Sequence, residues 1–236
     1  MSEISNTEPA LEKHYADFYS QSNPANVYPV EFVVRTLLGT YPNLKIDRST
    51  YRGARILDLG FGDGRNMPLL HDLGFKVYGV EISDEICRLT QNRLERLGVP
   101  LTLKTGSNSH IPFGDGAFDF ILACHACYYV SLGESFADNL EEIARVLQPG
   151  GRFIFSLAKT DTYILKDAVP LGNGHYRITH DPRGLRNGAV FRAFASRREI
   201  VDELGVSFSD FALGLCENDF YGTYEKVWIG TCLKKS

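Results

Sequence analysis

The run Asp58-Leu59-Gly60-Phe61-Gly62-Asp63-Gly64 lies between two short apolar segments, residues 55–59 (RILDL) and 76–80 (KVYGV). Both segments read as strands, and the glycines between them let the backbone turn sharply and approach a ligand closely. Glu81 closes the second segment. A carboxylate about twenty residues beyond a glycine turn is where doubly wound folds grip a ribose diol. A chain with this pattern is constrained to an α/β architecture with a nucleoside-type site at its strand tips.

The glycine spacing narrows the ligand. The dinucleotide fingerprint is G-x-G-x-x-G, whereas here the third glycine comes one position early and Arg65 takes the last glycine's place. Asp58 precedes the first glycine by two residues, where its charge would oppose a pyrophosphate at a helix N-terminus. The same charge suits a ligand with an ammonium group and no phosphate, such as S-adenosylmethionine.

The rest of the chain keeps the alternating rhythm. Residues 11–19 and 30–38 have helical apolar spacing, with an Asn/Pro-rich turn over 22–29. A helix is expected over 65–73, ended by Gly74, and another through Ile86, Leu89, Arg93, Leu94 and Leu97, closed by Gly98 and Pro100. Residues 101–105, 118–123 (FDFILA) and 152–157 read as strands, and 135–147 as a helix stopping at Pro149-Gly150-Gly151. Such alternation implies right-handed crossovers and a parallel sheet. The rhythm breaks over 158–195, read as an inserted lid or small hairpin. Ser196-Arg197-Arg198-Glu199 reads as a capping box opening a last helix. Two strands, 207–215 and 225–233, then pair antiparallel at the sheet edge.

With 236 residues and 44% hydrophobic content, one domain with additions is expected: a helical cap over 1–50, a core over 53–157, the lid, and the last helix with the edge hairpin over 196–236. The net charge of −4 speaks against binding nucleic acid through a basic surface. Arg183, Arg186, Arg192, Arg197 and Arg198 cluster late in the chain and read as a solvated basic face. Five cysteines without a disulfide spacing point to a reducing, cytoplasmic setting. The polar, acidic start reads as no signal peptide, the first ten residues as frayed, and no stretch reads as a membrane span.

At this point the chain resembles the class I S-adenosylmethionine-dependent methyltransferases, in their small-molecule branch. The resemblance rests on residues 56–64 (ILDLGFGDG), Val80-Glu81, Ile111-Pro112-Phe113 with Gly116-Ala117-Phe118-Asp119, and residues 144–151 (ARVLQPGG). It implies a doubly wound, seven-stranded, mostly parallel sheet with an antiparallel last strand. It implies that Asp58 and Gly60 hold the methionine end of S-adenosylmethionine, with Phe61 and Gly62 also in the cofactor site. Glu81 would take the ribose hydroxyls and Ile82 the adenine face, with Ala123 and Cys124 bordering the transferred methyl. The family's usual acid for the adenine amino group is replaced by Ser107, leaving Ser107 or Asn108 to bond the adenine.

Methyl transfer from a sulfonium needs the partners held in line, and a base only where the acceptor is a hydroxyl. His125, just past the fourth strand, is the candidate base, with His175 and His180 as rivals. Tyr128 and Tyr129 are candidates for lining the acceptor pocket or packing beneath a loop. Tyr15 and Tyr19, four apart on one helix face, either shield the methyl group or pack on the sheet edge. Arg35 reads as a surface ion pair, and Tyr221 and Tyr224 as hairpin aromatics. Cys124-His125-Ala126-Cys127 lacks the ligand count for zinc, so no metal is expected. The expected activity is methyl transfer to an O or N atom of a small molecule, with a nucleic acid or protein as the less favoured acceptor. The alternatives are a nicotinamide-dependent oxidoreductase and a methyltransferase-like binding subunit without catalysis.

Overall fold

The computed structural model describes residues 8–21 and 27–236, with side chains from residue 11 onward. Most of the expectation for the first ten residues, and most of that for the turn over 22–29, lies outside the described residues, while residues 8–10 belong to a helix rather than a frayed end.

The helices are α1 (Glu8–Gln21), α2 (Glu31–Leu38), α3 (Met67–Asp72), α4 (Asp84–Arg96), α5 (Phe136–Val146) and α6 (Arg197–Leu204). The strands are β1 (Arg55–Leu59), β2 (Lys76–Glu81), β3 (Leu101–Thr105), β4 (Phe118–Ala123), β5 (Tyr129–Val130), β6 (Leu147–Lys159), β7 (Val169–Gly172), β8 (His175–Arg177), β9 (Val190–Phe194), β10 (Phe208–Phe220) and β11 (Thr223–Lys234).

Seven of these strands form the main sheet, in the order β3-β2-β1-β4-β6-β11-β10. The first five run parallel. The last connection is a hairpin, so β11 runs antiparallel to β6, with Val227 opposite Ala158 and Leu233 opposite Arg152. This reversal places the start of β11 at the carboxyl ends of the parallel strands. Residues of β1 divide between two apolar layers: Ile56 joins one, Leu57 and Leu59 the other, as side chains alternate along a strand. Both faces are covered by helices, the condition under which parallel sheets occur.

The expected elements are present, with four differences. The helix expected over 65–73 contracts to α3, because the glycine turn continues through Asn66. The edge strands are longer than expected, and β10 and β11 pair out to Phe220–Thr223. Four short strands join the sheet system: β7, β8, β9 and β5 pair antiparallel, and β9 also joins β6 in parallel through Ala158 and Ala193. The capping box at Ser196 is half formed. Ser196 Oγ accepts from Glu199 N–H, but the Glu199 carboxylate accepts from Ala195 N–H instead of the cap's own. The complete box lies at Ser135 and Asp138, opening α5.

The late arginines do not form one solvated face. Arg192 is buried and paired with Glu203, and Arg186 is paired with a wholly buried Asp181, while Arg197 and Arg198 are exposed.

Candidate active site

A cavity of about 840 Å³ opens at the carboxyl ends of the parallel strands, a volume suited to a nucleoside-sized ligand with a second small molecule. Its walls come from the glycine turn, the tips of β2 and β4, α1, residues 183–191, and the start of β11. This is where open α/β sheets bind ligands.

The glycine turn forms its floor. Gly60, Gly62 and Gly64 all have positive φ (66°, 56° and 66°), which other residues adopt only under strain. A side chain at Gly60 would collide with Ala126, and one at Gly62 with the Tyr19 hydroxyl. Glu81 is buried at the tip of β2 and binds the turn directly. Its Oε2 accepts from Gly62 N–H at 2.8 Å, and its Oε1 from Ile82 N–H at 2.9 Å. Burial raises its pKa, and these two backbone donors oppose the rise. Each carboxylate oxygen retains a lone pair for a ligand hydroxyl.

Asp58 sits elsewhere than expected. It is fully buried beneath the turn, not in the cavity wall, and both its oxygens lack a partner among the described residues. Burial first, then the charges of Glu81 and Asp63, hold its pKa well above the ordinary carboxyl value. The acid that does reach the cavity is Asp63, paired with Arg65 through Oδ2 at 2.7 Å. Sequence reasoning did not single out Asp63 as a site residue, although it stands between two of the three glycines.

Ile82, Phe61 and Cys124 line the cavity; Ala123 is packed in the core below it. Gly62 is covered by Tyr19, so it contributes shape and its N–H to Glu81. Ser107 and Asn108 both reach the cavity wall. Asn108 Nδ2, however, donates to Ala126 O at 2.9 Å and Tyr129 O at 3.1 Å, tying the loops after β3 and β4 together. Ser107 Oγ lies 3.1 Å from Ser109 Oγ.

At the far end, His125 lines the cavity with φ of 56°, held by its N–H donating to the buried Ser156 Oγ at 2.8 Å. A non-glycine residue in this region marks strain kept for a reason. Burial lowers its pKa, Glu225 pulls the other way, and Arg186 and Arg65 lower it further. The imidazole is therefore neutral near pH 7 and able to accept a proton. Glu225, from the start of β11, is a cavity residue that sequence reasoning missed; only the reversed direction of that strand brings it here.

Four tyrosines gather above. Tyr15 Oη lies 2.7 Å from Tyr129 Oη, Tyr15 stacks on Tyr19, and Tyr128 stacks on Tyr129. All four line the cavity, so α1 lies across its mouth. His175 does not reach it. It sits in β8 opposite Gly172 and Arg192, and the exposed His180 is also outside the cavity wall. Tyr221 and Tyr224 are exposed outside it as well, while Phe220 and Thr223 of the same hairpin line it. Arg35 pairs with Glu31 at 2.8 Å on the surface. Burial raises the pKa of both the Cys124 and Cys127 thiols, and no metal-binding cluster occurs among the described residues.

Residues 57–155, the stretch from β1 into β6 that carries this floor, match the family described as "Methyltransferase domain". Over that stretch, less than half of the chain, the sequence is similar to methyltransferase domains. It is 32% identical over 127 residues to the sterol 4-C-methyltransferase of Caenorhabditis elegans, covering 52% of this chain and 36% of that protein. It is 34% identical over 102 residues to the demethylmenaquinone methyltransferase of Tropheryma whipplei, covering 43% of this chain and 41% of that one. The matched stretch thus spans about two fifths or less of these relatives' own lengths.

Among solved structures, it superposes on the 1,6-didemethyltoxoflavin N1-methyltransferase of Burkholderia thailandensis, which holds its acceptor and S-adenosylhomocysteine. The TM-score is 0.62 at 18% identity, covering 100% of this chain and 93% of that one. A protein of Pyrococcus horikoshii gives the same TM-score, 0.62, at 18% identity, covering 92% of this chain and 99% of that one. At such identity the likeness concerns the fold.

Proposed function

We propose that this protein transfers the methyl group of S-adenosylmethionine to a small-molecule acceptor. The observation that carries the reading is Glu81, fixed to the glycine turn through Gly62 N–H with lone pairs still facing the cavity. A site for a ribose is thereby prepared. Asp58, buried beneath the turn without a partner among the described residues, suits the same ligand through its charge, which favours a cation over a phosphate above the turn. The domain family and the likeness to a methyltransferase that holds S-adenosylhomocysteine support the assignment.

In this reading Glu81 receives the ribose hydroxyls and Ile82 packs on the adenine, with Ser107 at its edge. Asp63 and Arg65 offer opposite charges to the ammonium and carboxylate of the amino-acid end, and Cys124 borders the methyl. S-adenosylmethionine supplies an electrophilic methyl group on a positively charged sulfur. The tyrosines of α1 and the loop after β4 exclude water from the reacting atoms. His125 takes the proton where the acceptor is a hydroxyl, and an amine acceptor needs no such help. The sterol and quinone names of the relatives suit an acceptor chamber with aromatic walls. Five unpaired cysteines fit a cytoplasmic setting, and among the described residues no helix is long and apolar enough to cross a membrane.

Thermal unfolding with S-adenosylhomocysteine, S-adenosylmethionine or NADH decides the cofactor. A ligand at one hundred times its Kd adds about 2.7 kcal/mol of stability. The reading expects that gain from the two sulfur nucleosides and none from NADH. The opposite pattern rejects it.

A further inference from the structure

The loop joining β8 to β9 is organised around one carboxylate. Asp181 has a side chain with 0% exposure. It accepts from the backbone N–H groups of Arg183, Leu185 and Arg186 at 3.1, 3.1 and 3.0 Å. It also accepts from Nε and Nη2 of the Arg186 guanidinium at 2.9 and 3.2 Å. Burial alone would raise its pKa, but the guanidinium and these N–H donors bring it below the ordinary carboxyl value.

The result is a guanidinium fixed in place. Arg186 lines the cavity, and its Nη2 also donates to Tyr163 Oη at 3.1 Å. Two of its three nitrogens are thus clamped, while Nη1 has no partner among the described residues. A pre-set guanidinium edge is a strong, directional donor to an anionic oxygen. Its charge reaches the phenols across the cavity, where it opposes the rise that burial causes at Tyr15 and Tyr129. The neighbouring walls are flat rings: Tyr128 and Tyr129 stack at 5.3 Å, and Tyr129 lies 4.4 Å from Phe191. Such walls accept a planar molecule in offset or edge contact.

We propose that Arg186 is the residue that selects the methyl acceptor, by binding an anionic oxygen of a small aromatic molecule through Nη1. This rests on the methyl-transfer reading of the cavity and adds a charge and a shape to the acceptor. With the anion at Arg186, the opposite end of the molecule faces His125 and Glu225, where the proton leaving the nucleophile is received. A loop in which Arg186 served only to neutralise Asp181 would show no ligand selectivity.

The test uses the full chain saturated with S-adenosylhomocysteine, titrated by ligand-observed NMR with benzoate and with its neutral counterpart benzamide. Benzoate should bind at millimolar concentration or below, at least about tenfold more tightly than benzamide, as a charged hydrogen bond predicts. Arg186→Gln alone strands the buried Asp181 charge, so the informative variant is Asp181→Asn with Arg186→Gln, its folding checked by thermal melting. The double variant should bind both compounds equally, and Arg186→Lys should keep part of the preference. Equal binding by the parent chain, a preference that survives in the double variant, or no benzoate binding at millimolar concentration overturns the proposal. Titration with S-adenosylhomocysteine alone reports separately on the methyl-transfer reading. If that compound fails to bind, the benzoate preference is still read on the ligand-free protein.

Discussion

Glu81 Oε2 accepts a hydrogen bond from Gly62 N–H at 2.8 Å, joining the tip of β2 to the apex of the glycine turn. The residue expected to bind the ribose therefore also sets the shape of the surface on which the nucleoside lies. Glu81→Gln keeps one acceptor oxygen and should weaken S-adenosylhomocysteine binding about tenfold. Glu81→Ala removes the ribose contact and frees the turn, for a loss of about a hundredfold by isothermal calorimetry. Equal affinity in both variants would contradict the assignment.

Asp58 predicts a stability that depends on pH in an unusual direction. Its carboxyl is held above its ordinary value of 3.8, chiefly by burial, so the folded chain keeps a proton that the unfolded chain releases. This contribution is present below that value and is lost as pH rises towards Asp58's own raised pKa. Asp58→Asn lacks that slope. Between pH 4 and 8 its melting temperature should rise relative to the parent chain, while its affinity for S-adenosylmethionine at neutral pH falls about tenfold. Parallel melting curves across that range, or undiminished affinity, would show that no cation is recognised above the turn.

The parallel core was legible because its signals are local. Alternating apolar runs, glycines and helix stops specify β1 through β4 within a few residues, and Glu81 follows from its place after the turn. What escaped depends on contacts between distant segments. Asp58 and Asp63 are both buried acids in or next to the glycine turn, and only the packing tells the one beneath the turn from the one that lines the cavity. Glu225 enters the cavity because β11 runs backwards along β6, and Arg186 because Asp181 gathers the loop around itself. His175 has the composition of a site residue, but its strand pairs with β9 outside the cavity wall.

Tyr15 and Tyr129 share a hydrogen bond of 2.7 Å that fastens α1 across the cavity mouth. Removing one hydroxyl by Tyr129→Phe costs about 1 kcal/mol at that contact and leaves the ring stacking in place. The expected result is faster amide exchange through α1 and a release rate for S-adenosylhomocysteine about fivefold higher, with the melting temperature of the core little changed. Should exchange in α1 match the parent chain, the helix is held by its apolar face alone and the hydroxyl pair is incidental.

His125 carries the prediction that bears most directly on chemistry. Its ordinary value is 6.5, and burial lowers it while the Glu225 carboxylate partly restores it against Arg186 and Arg65. The folded chain thus binds fewer protons than the unfolded one, so the His125 contribution to stability holds above 6.5 and is lost as pH falls. An NMR titration of the imidazole should give a midpoint below 6.5, and Glu225→Gln should move it lower still, because the one charge that raises it is gone. For a hydroxyl acceptor the acid limb of kcat/KM should follow the same shift, and the plateau should drop as the base weakens. His125→Gln should then slow methylation of a hydroxyl by about a hundredfold or more and leave that of an amine almost unchanged. A midpoint that Glu225→Gln does not move would show that the carboxylate lies too far away to tune the ring, and His125 would remain a strained loop residue packed edge-on against Phe32.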